Sequence, residues 1–243
     1  METHNIMYPE LDAAGGLGNA LNAEFIKLDS CLSILSDSSL GRMPVTYSVV
    51  EKGKKFSQIY LAAKERLYLP DFWKEGVCLA HGQTNNLVDL AKCIDFWLCK
   101  DVTMQELSAA FSFINPSDKA IAFDENREVE FTWARIQSDD SRADLKAFVD
   151  LAINDEVLSK LFPFTSLFTL CFSRCTGYPY TYDTPTITPI GKSVFGGHKY
   201  EVRLPGNKIA GRGNAREALA IVKANLPLNI KPAVKGTAEN FVD

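Results

Sequence analysis

Leu79-Ala80-His81-Gly82-Gln83-Thr84-Asn85 and Ile209-Ala210-Gly211-Arg212-Gly213-Asn214 each read as a short strand, a glycine turn and the start of a helix. Glycine permits the positive φ that swings a chain from strand to helix, and Thr or Asn accepts from the free N–H groups of a first helical turn. After the first stretch, Leu87, Leu90, Ala91, Ile94, Trp97 and Leu98 fall on one face of a helix, with Thr84 or Asn85 as its expected cap. After the second, Asn214 caps a helix with Glu217 at its third position, and Ala218, Ile221 and Val222 face inward. These local requirements account for the echo without a duplication.

Working outward, residues 47–50, 56–62, 67–73 and 76–80 read as extended segments of a meander, with Lys52-Gly53 at one turn and Pro70 marking an edge or a bend. A helix is expected over residues 17–25 behind Gly15-Gly16, and a loop over 30–44. Thr103 and Glu106 form a capping box for a helix carrying Leu107 and Phe111. Residues 127–137 fit a helix through Val129, Trp133 and Ile136, or a strand through Val129, Phe131 and Trp133; we take the helix. The Ser141-Arg142-Ala143-Asp144 stretch is expected to cap another, which Asn154-Asp155 restarts. The nearly continuous apolar run 166–172 predicts one strand buried on both faces, and further strands are expected over 182–190, 199–204 and 209–210. The fold class is therefore α+β: two β-meander-plus-helix subdomains (1–114 and 163–243) joined by a helical connector over 115–162.

Composition excludes more than it assigns. The net charge is −4 with a pI near 5.5, so no broad field draws the chain to nucleic acid or anionic lipid. No apolar run approaches the roughly eighteen residues of a membrane span, and Met1-Glu2-Thr3-His4-Asn5 lacks the basic and apolar regions of a secretory signal. Of the six cysteines none forms a C-x-x-C pair. They read as buried reduced thiols, which points to the cytoplasm. Only Cys171 and Cys175 are spaced as a zinc pair and the three histidines are scattered, so no metal is expected, nor any cofactor.

Known catalytic patterns fail at identifiable positions. Gly191-Lys192-Ser193 resembles the end of a phosphate loop, but Thr186 holds the place of its first glycine. No G-x-S-x-G, H-E-x-x-H or EF-hand pattern occurs. Asp139-Asp140 reads as solvated charge before a helix. Arg212, Gly213, Asn214 and Arg216 form a candidate anion site at a helix start; the plain alternative is a turn and cap. The helix starts lack the lysine cluster of a double-stranded-RNA reader, so nucleic acid is not expected as a partner. The most distinctive stretch runs from 173 to 183, Ser-Arg-Cys-Thr-Gly-Tyr-Pro-Tyr-Thr-Tyr-Asp. There Arg174, Tyr178, Tyr180 and Asp183 are candidate ligand-binding residues; the plain alternative is a structural loop whose tyrosines pack and whose Arg174 pairs with an acidic neighbour. Cys175 beside Arg174 is weighed as a nucleophile, without a nearby histidine to serve it.

Phe162-Pro163-Phe164-Thr165-Ser166, Leu170-Cys171-Phe172-Ser173-Arg174, Asp71-Phe72-Trp73, Gly82-Gln83-Thr84 and Pro232-Ala233-Val234-Lys235-Gly236 together carry a family likeness. The chain resembles an uncharacterised bacterial domain family, some members of which are labelled natural product biosynthesis proteins, over residues 9–236. That resemblance implies a bacterial cytoplasmic protein and transfers no catalytic residue. Two functions stay open. One is a non-catalytic binding or accessory module for a protein or small ligand, with no membrane partner. The other is a small-molecule enzyme with a site in the 174–183 loop, with His198 as a possible neighbour.

Overall fold

A computed structural model describes residues 7–34, 47–192 and 197–240. The amino-terminal pentapeptide, most of the 30–44 loop and the segment after Lys192 lie outside these residues. The chain divides into two compact units, Met1–Asp124 and Glu125–Asp243.

The first unit begins with α1 (Pro9–Ala14) and α2 (Leu17–Lys27). Four antiparallel strands follow: β1 (Tyr47–Lys52), β2 (Lys55–Leu61), β3 (Tyr68–Lys74) and β4 (Val77–Gly82). Then come α3 (Leu87–Cys99), α4 (Met104–Ala110), β5 (Ile114–Pro116) and α5 (Ala120–Asp124). The sheet order β1-β2-β3-β4-β5 is a meander to which β5 adds beside β4. Inward residues Val50, Ile59, Tyr68, Phe72 and Leu79 meet Leu21 and Phe25 of α2 and Leu90, Ile94 and Trp97 of α3 in one core. Burial of these faces, at about 25 cal/mol per Å² of apolar surface, is what holds helices to sheet. Asn86, rather than Thr84 or Asn85, caps α3, accepting from Val88 and Asp89 N–H. Thr84 is drawn away because its backbone bridges Tyr68 while its hydroxyl accepts from Asn86 N–H.

The second unit opens with α6 (Glu128–Gln137), a 3-10 turn (Asp140–Arg142), α7 (Lys146–Ala152) and a second 3-10 turn (Leu158–Lys160). Five antiparallel strands follow, β6 (Phe162–Ser166), β7 (Thr169–Ser173), β8 (Thr186–Lys192), β9 (His198–Arg203) and β10 (Ile209–Gly213), and then α8 (Ala215–Ala224). Their order is β10-β9-β8-β7-β6. Leu170, Phe172, Ile187, Tyr200 and Val202 face Trp133, Phe148, Val149, Ala218 and Val222 in the core. The capping boxes at Thr103/Glu106 and Asn214/Glu217 are both present. Asp139 caps the first 3-10 turn and Asp155 accepts from Val157 and Leu158 N–H at the second, so neither Ser141 nor Asn154 starts a helix.

Two expectations change. The apolar run 166–172 is not one buried strand: Ser166 pairs with Thr169 across a two-residue turn, and Leu167 and Phe168 at its tip are 82% and 73% exposed. The stretch expected as a connector is shared out, because β5 pairs with β4 in the first unit while α6 and α7 build the core of the second.

Candidate functional site

The 174–183 loop of the second unit is built on one hydroxyl. Ser173 ends β7 fully buried, and its Oγ accepts from Cys175 N–H at 3.0 Å and Thr181 N–H at 3.1 Å. Arg174 N–H donates to Thr181 Oγ1, and Thr184 Oγ1 donates to the Phe172 carbonyl. The carboxy-terminal segment stitches the outside: Thr176 N–H donates to Val234 O, Val234 N–H to Arg174 O, and Gly177 N–H to Gly236 O. A loop fixed at so many points presents its side chains from a rigid base, which is how binding loops keep their geometry.

Of the predicted residues, the fold brings Arg174 and Asp183 into an ion pair at 2.7 Å, each side chain partly exposed. Tyr180 is half-buried and stacks on Phe164 with ring centroids 4.3 Å apart, and the Phe162 ring lies 5.6 Å from it. Burial raises its hydroxyl pKa above the ordinary tyrosine value. Tyr178 meets the Tyr180 ring edge-on and Tyr182 meets Phe164 edge-on; these two outer rings are 63% and 60% exposed. Cys175 is fully buried, its Sγ 3.3 Å from Ser173 Oγ and facing the Gly177 and Pro179 carbonyls. A thiol packed this way has no approach for a substrate. The register sets His198 opposite Lys192, at the far end of β8 from the strand end that carries the loop.

The outer face of β7, β8 and β9 carries a groove of about 400 Å³ beside this loop. Tyr182, Leu167 and Phe168 wall it, and Thr169, Thr186 and Thr188 line its floor. The hydroxyls of Thr169 and Thr188 lie 2.8 Å apart. A second cleft, about 420 Å³, has Val129, Trp133 and Ile153 among its walls and Lys160 at its rim.

At the predicted anion site the Arg212 guanidinium and the backbone N–H groups of Asn214, Arg216 and Glu217 already have acceptors in the chain itself. Arg212 and Arg203 both pair with Glu201 at 2.5 Å, and Arg212, ahead of Arg203, holds that carboxyl below the usual range against the opposing effect of burial. Asn214 Oδ1 accepts from Arg216 and Glu217 N–H, while Glu217 accepts from Asn214 N–H at 2.8 Å. Gly213 is needed here: a Cβ would stand 2.5 Å from Glu217 Cβ and Oε2.

The first unit assembles a group that sequence spacing did not single out. Asp71 and His81 are cross-strand partners in β3 and β4, and a register shift follows at Phe72/Trp73. A bulge re-aims side chains. Here it leaves Leu79 and Ala80 both buried, with Cys78 half-buried and His81 exposed. His81 Nδ1 lies 2.6 Å from Asp71 Oδ1 and Nε2 lies 4.0 Å from Cys78 Sγ. Burial, then the Asp71 charge, pushes the Cys78 thiol up to about 11. The donor atoms of Asp71, Cys78 and His81 all lie within 4.8 Å of one another, a set able to hold a metal ion. The C-x-x-H spacing of Cys78 and His81 was the available signal; its third member, Asp71, depends on hairpin register.

Residues 127–237 match the family of unknown function DUF6193. No curated protein and no solved structure shows significant similarity to the chain. The DUF6193 match lies within the second unit and holds the 174–183 loop, the outer-face groove and the α8 cap. It is narrower than the resemblance over residues 9–236: Asp71-Phe72-Trp73 and Gly82-Gln83-Thr84 fall outside it. Among the described residues no helix is long and apolar enough to cross a membrane.

Proposed function

We propose that the second unit is a non-catalytic binding module that takes an extended peptide segment of a protein partner along its outer-face groove. The supporting observation is that Leu167, Phe168 and Tyr182, each more than half exposed, line that groove, with the exposed Tyr178 joined to the same aromatic cluster through Tyr180 and Phe164. Large apolar side chains clustered in this way mark interaction sites, and tyrosine contributes contact area at low entropic cost. Leu167 adds to the argument, since it is 82% exposed with φ at +53°, a conformation unfavourable for a leucine. The threonine floor supplies hydroxyls that can bond either a donor or an acceptor of a peptide backbone.

An enzyme centred on the loop is the other reading. Binding is favoured because Arg174 is engaged by Asp183 and Cys175 is shut in by its own loop. A cytoplasmic accessory role in a bacterium fits this reading.

The test uses a random displayed-peptide library selected on the full chain. Peptides sharing an apolar motif should be enriched, and their binding should be lost in the Phe168→Ser/Tyr182→Ser double variant. Equal binding to both proteins would contradict the assignment.

A further inference from the structure

We propose that Cys31 is an oxidation site for hydroperoxides, with Cys99 as the thiol that resolves it into a disulfide. Cys31 follows α2, Cys99 ends α3 and Lys52 ends β1, so the fold alone brings together residues far apart in sequence. The two sulfurs are 3.4 Å apart, and Lys52 Nζ lies 2.9 Å from Cys31 Sγ and 3.7 Å from Cys99 Sγ. Cys31 is exposed and Cys99 half-buried. The surroundings separate their roles. The Lys52 ammonium, then Cys99, lowers the Cys31 pKa, whereas burial, then Cys31 and Asp95, pushes Cys99 up to about 11. A thiolate is the nucleophile, so Cys31 reacts first. Asp95 is itself held by Ser30 Oγ at 2.5 Å, which ties the Cys31 loop to α3.

The chemistry closes without another group. The Cys31 thiolate attacks one peroxide oxygen and breaks the O–O bond, giving a sulfenic acid and releasing hydroxide or alkoxide, according to the peroxide. Cys99 then attacks the sulfenic sulfur as its thiolate; the S–O bond breaks, the hydroxyl leaves with the Cys99 proton as water, and the S–S bond forms. The two thiols lose two electrons and the peroxide gains them. Cys93, Cys171 and Cys175, all buried, provide internal controls.

Hydrogen peroxide and peptide mapping under non-reducing conditions test this. The expected product is a single Cys31–Cys99 disulfide, with a mass loss of two hydrogen atoms. Cys99→Ser should leave a sulfenic acid at Cys31 that a dione trap captures, and Lys52→Met should slow the reaction about tenfold at neutral pH. Oxidation at Cys31 no faster than at Cys78, or a trapped sulfenic acid without disulfide in the wild type, would overturn the proposal.

A different observation carries a second inference. The geometry points to a divalent transition-metal site at Asp71, Cys78 and His81. Donors around a tetrahedral zinc ion stand about 3.5 Å apart, so rotation of side chains already within 4.8 Å of one another suffices to close on an ion. Mixed sulfur, nitrogen and oxygen donors suit zinc or its cobalt substitute, and three protein ligands leave a position open for water. The site stands on two hydrogen-bonded strands, with the Phe56–Trp73 stack on the neighbouring pair. Cobalt(II) is the probe, added to the Cys31→Ser/Cys99→Ser protein so that the other thiol pair cannot contribute. A thiolate-to-cobalt charge-transfer band should appear and vanish in Cys78→Ser, while His81→Ala and Asp71→Asn should weaken binding at least about tenfold. Absence of the band, or a band indifferent to Cys78, would refute the site.

Discussion

Arg174 Nη2 lies 2.7 Å from Asp183 Oδ2, so the charged residues that bracket the tyrosine loop neutralise each other and close it. The outward character of the loop is therefore set by Tyr178 and Tyr182 rather than by charge.

Removing that closure should loosen the loop without unfolding the unit. Arg174→Met is expected to cost about 1 kcal/mol, the scale of a partly exposed pair. Amide exchange at Cys175 and Thr181 should rise; unchanged exchange would mean that the pair does not hold the loop.

Ser173→Ala should cost more, although it deletes a single oxygen. It leaves the buried N–H groups of Cys175 and Thr181 without their acceptor, at about 2–4 kcal/mol together. The urea midpoint reads this loss directly.

In the first unit, Glu10 accepts from Arg66 at 2.6 Å and from Tyr68 at 2.5 Å. Burial pushes its pKa up, but those bonds outweigh burial and hold the carboxyl at about 2, against an ordinary 4.5. A depressed folded pKa lends stability that is present above the unfolded value and is lost as pH falls from 4.5 toward 2. With the side chain 34% exposed and screened, the loss should be about 1–2 kcal/mol. Denaturant midpoints across that window should fall more steeply for wild type than for Glu10→Gln.

Gly82→Ala should destabilise the first sheet by about 1–3 kcal/mol, because a Cβ there would stand 2.9 Å from both Ile114 Cδ1 and Pro70 Cγ. Thermal denaturation compared with Gly53→Ala, where a Cβ meets nothing within 4 Å but φ is +61°, separates crowding from backbone strain.

Much of the fold could be read from the sequence, because the signals are local. The α3 periodicity and the Thr103/Glu106 and Asn214/Glu217 boxes lie within a few residues of one another. The apolar run 166–172 misled because hydrophobicity normally signals burial, whereas Leu167 and Phe168 turn a hairpin in the open. Asp71 with His81 and Cys31 with Cys99 were illegible for another reason: the first needs hairpin register and a bulge, the second the packing of α2, α3 and β1. In the 174–183 loop, the plain alternative offered by the residue types, packed tyrosines and an Arg174 paired with an acidic neighbour, matches Tyr180 on Phe164 and Arg174 on Asp183; which tyrosine turns inward depends on the hairpin and is a property of three dimensions.

The binding account rests on Tyr182, which joins the aromatic cluster through Phe164 and walls the groove. Its most direct test is the affinity of one library-selected peptide for wild type, Tyr182→Ser and the distant control Ile26→Ser, measured by calorimetry on the full chain. The account predicts a loss of at least about tenfold, or 1.4 kcal/mol, for Tyr182→Ser and wild-type affinity for Ile26→Ser. Equal affinity in all three proteins would contradict it.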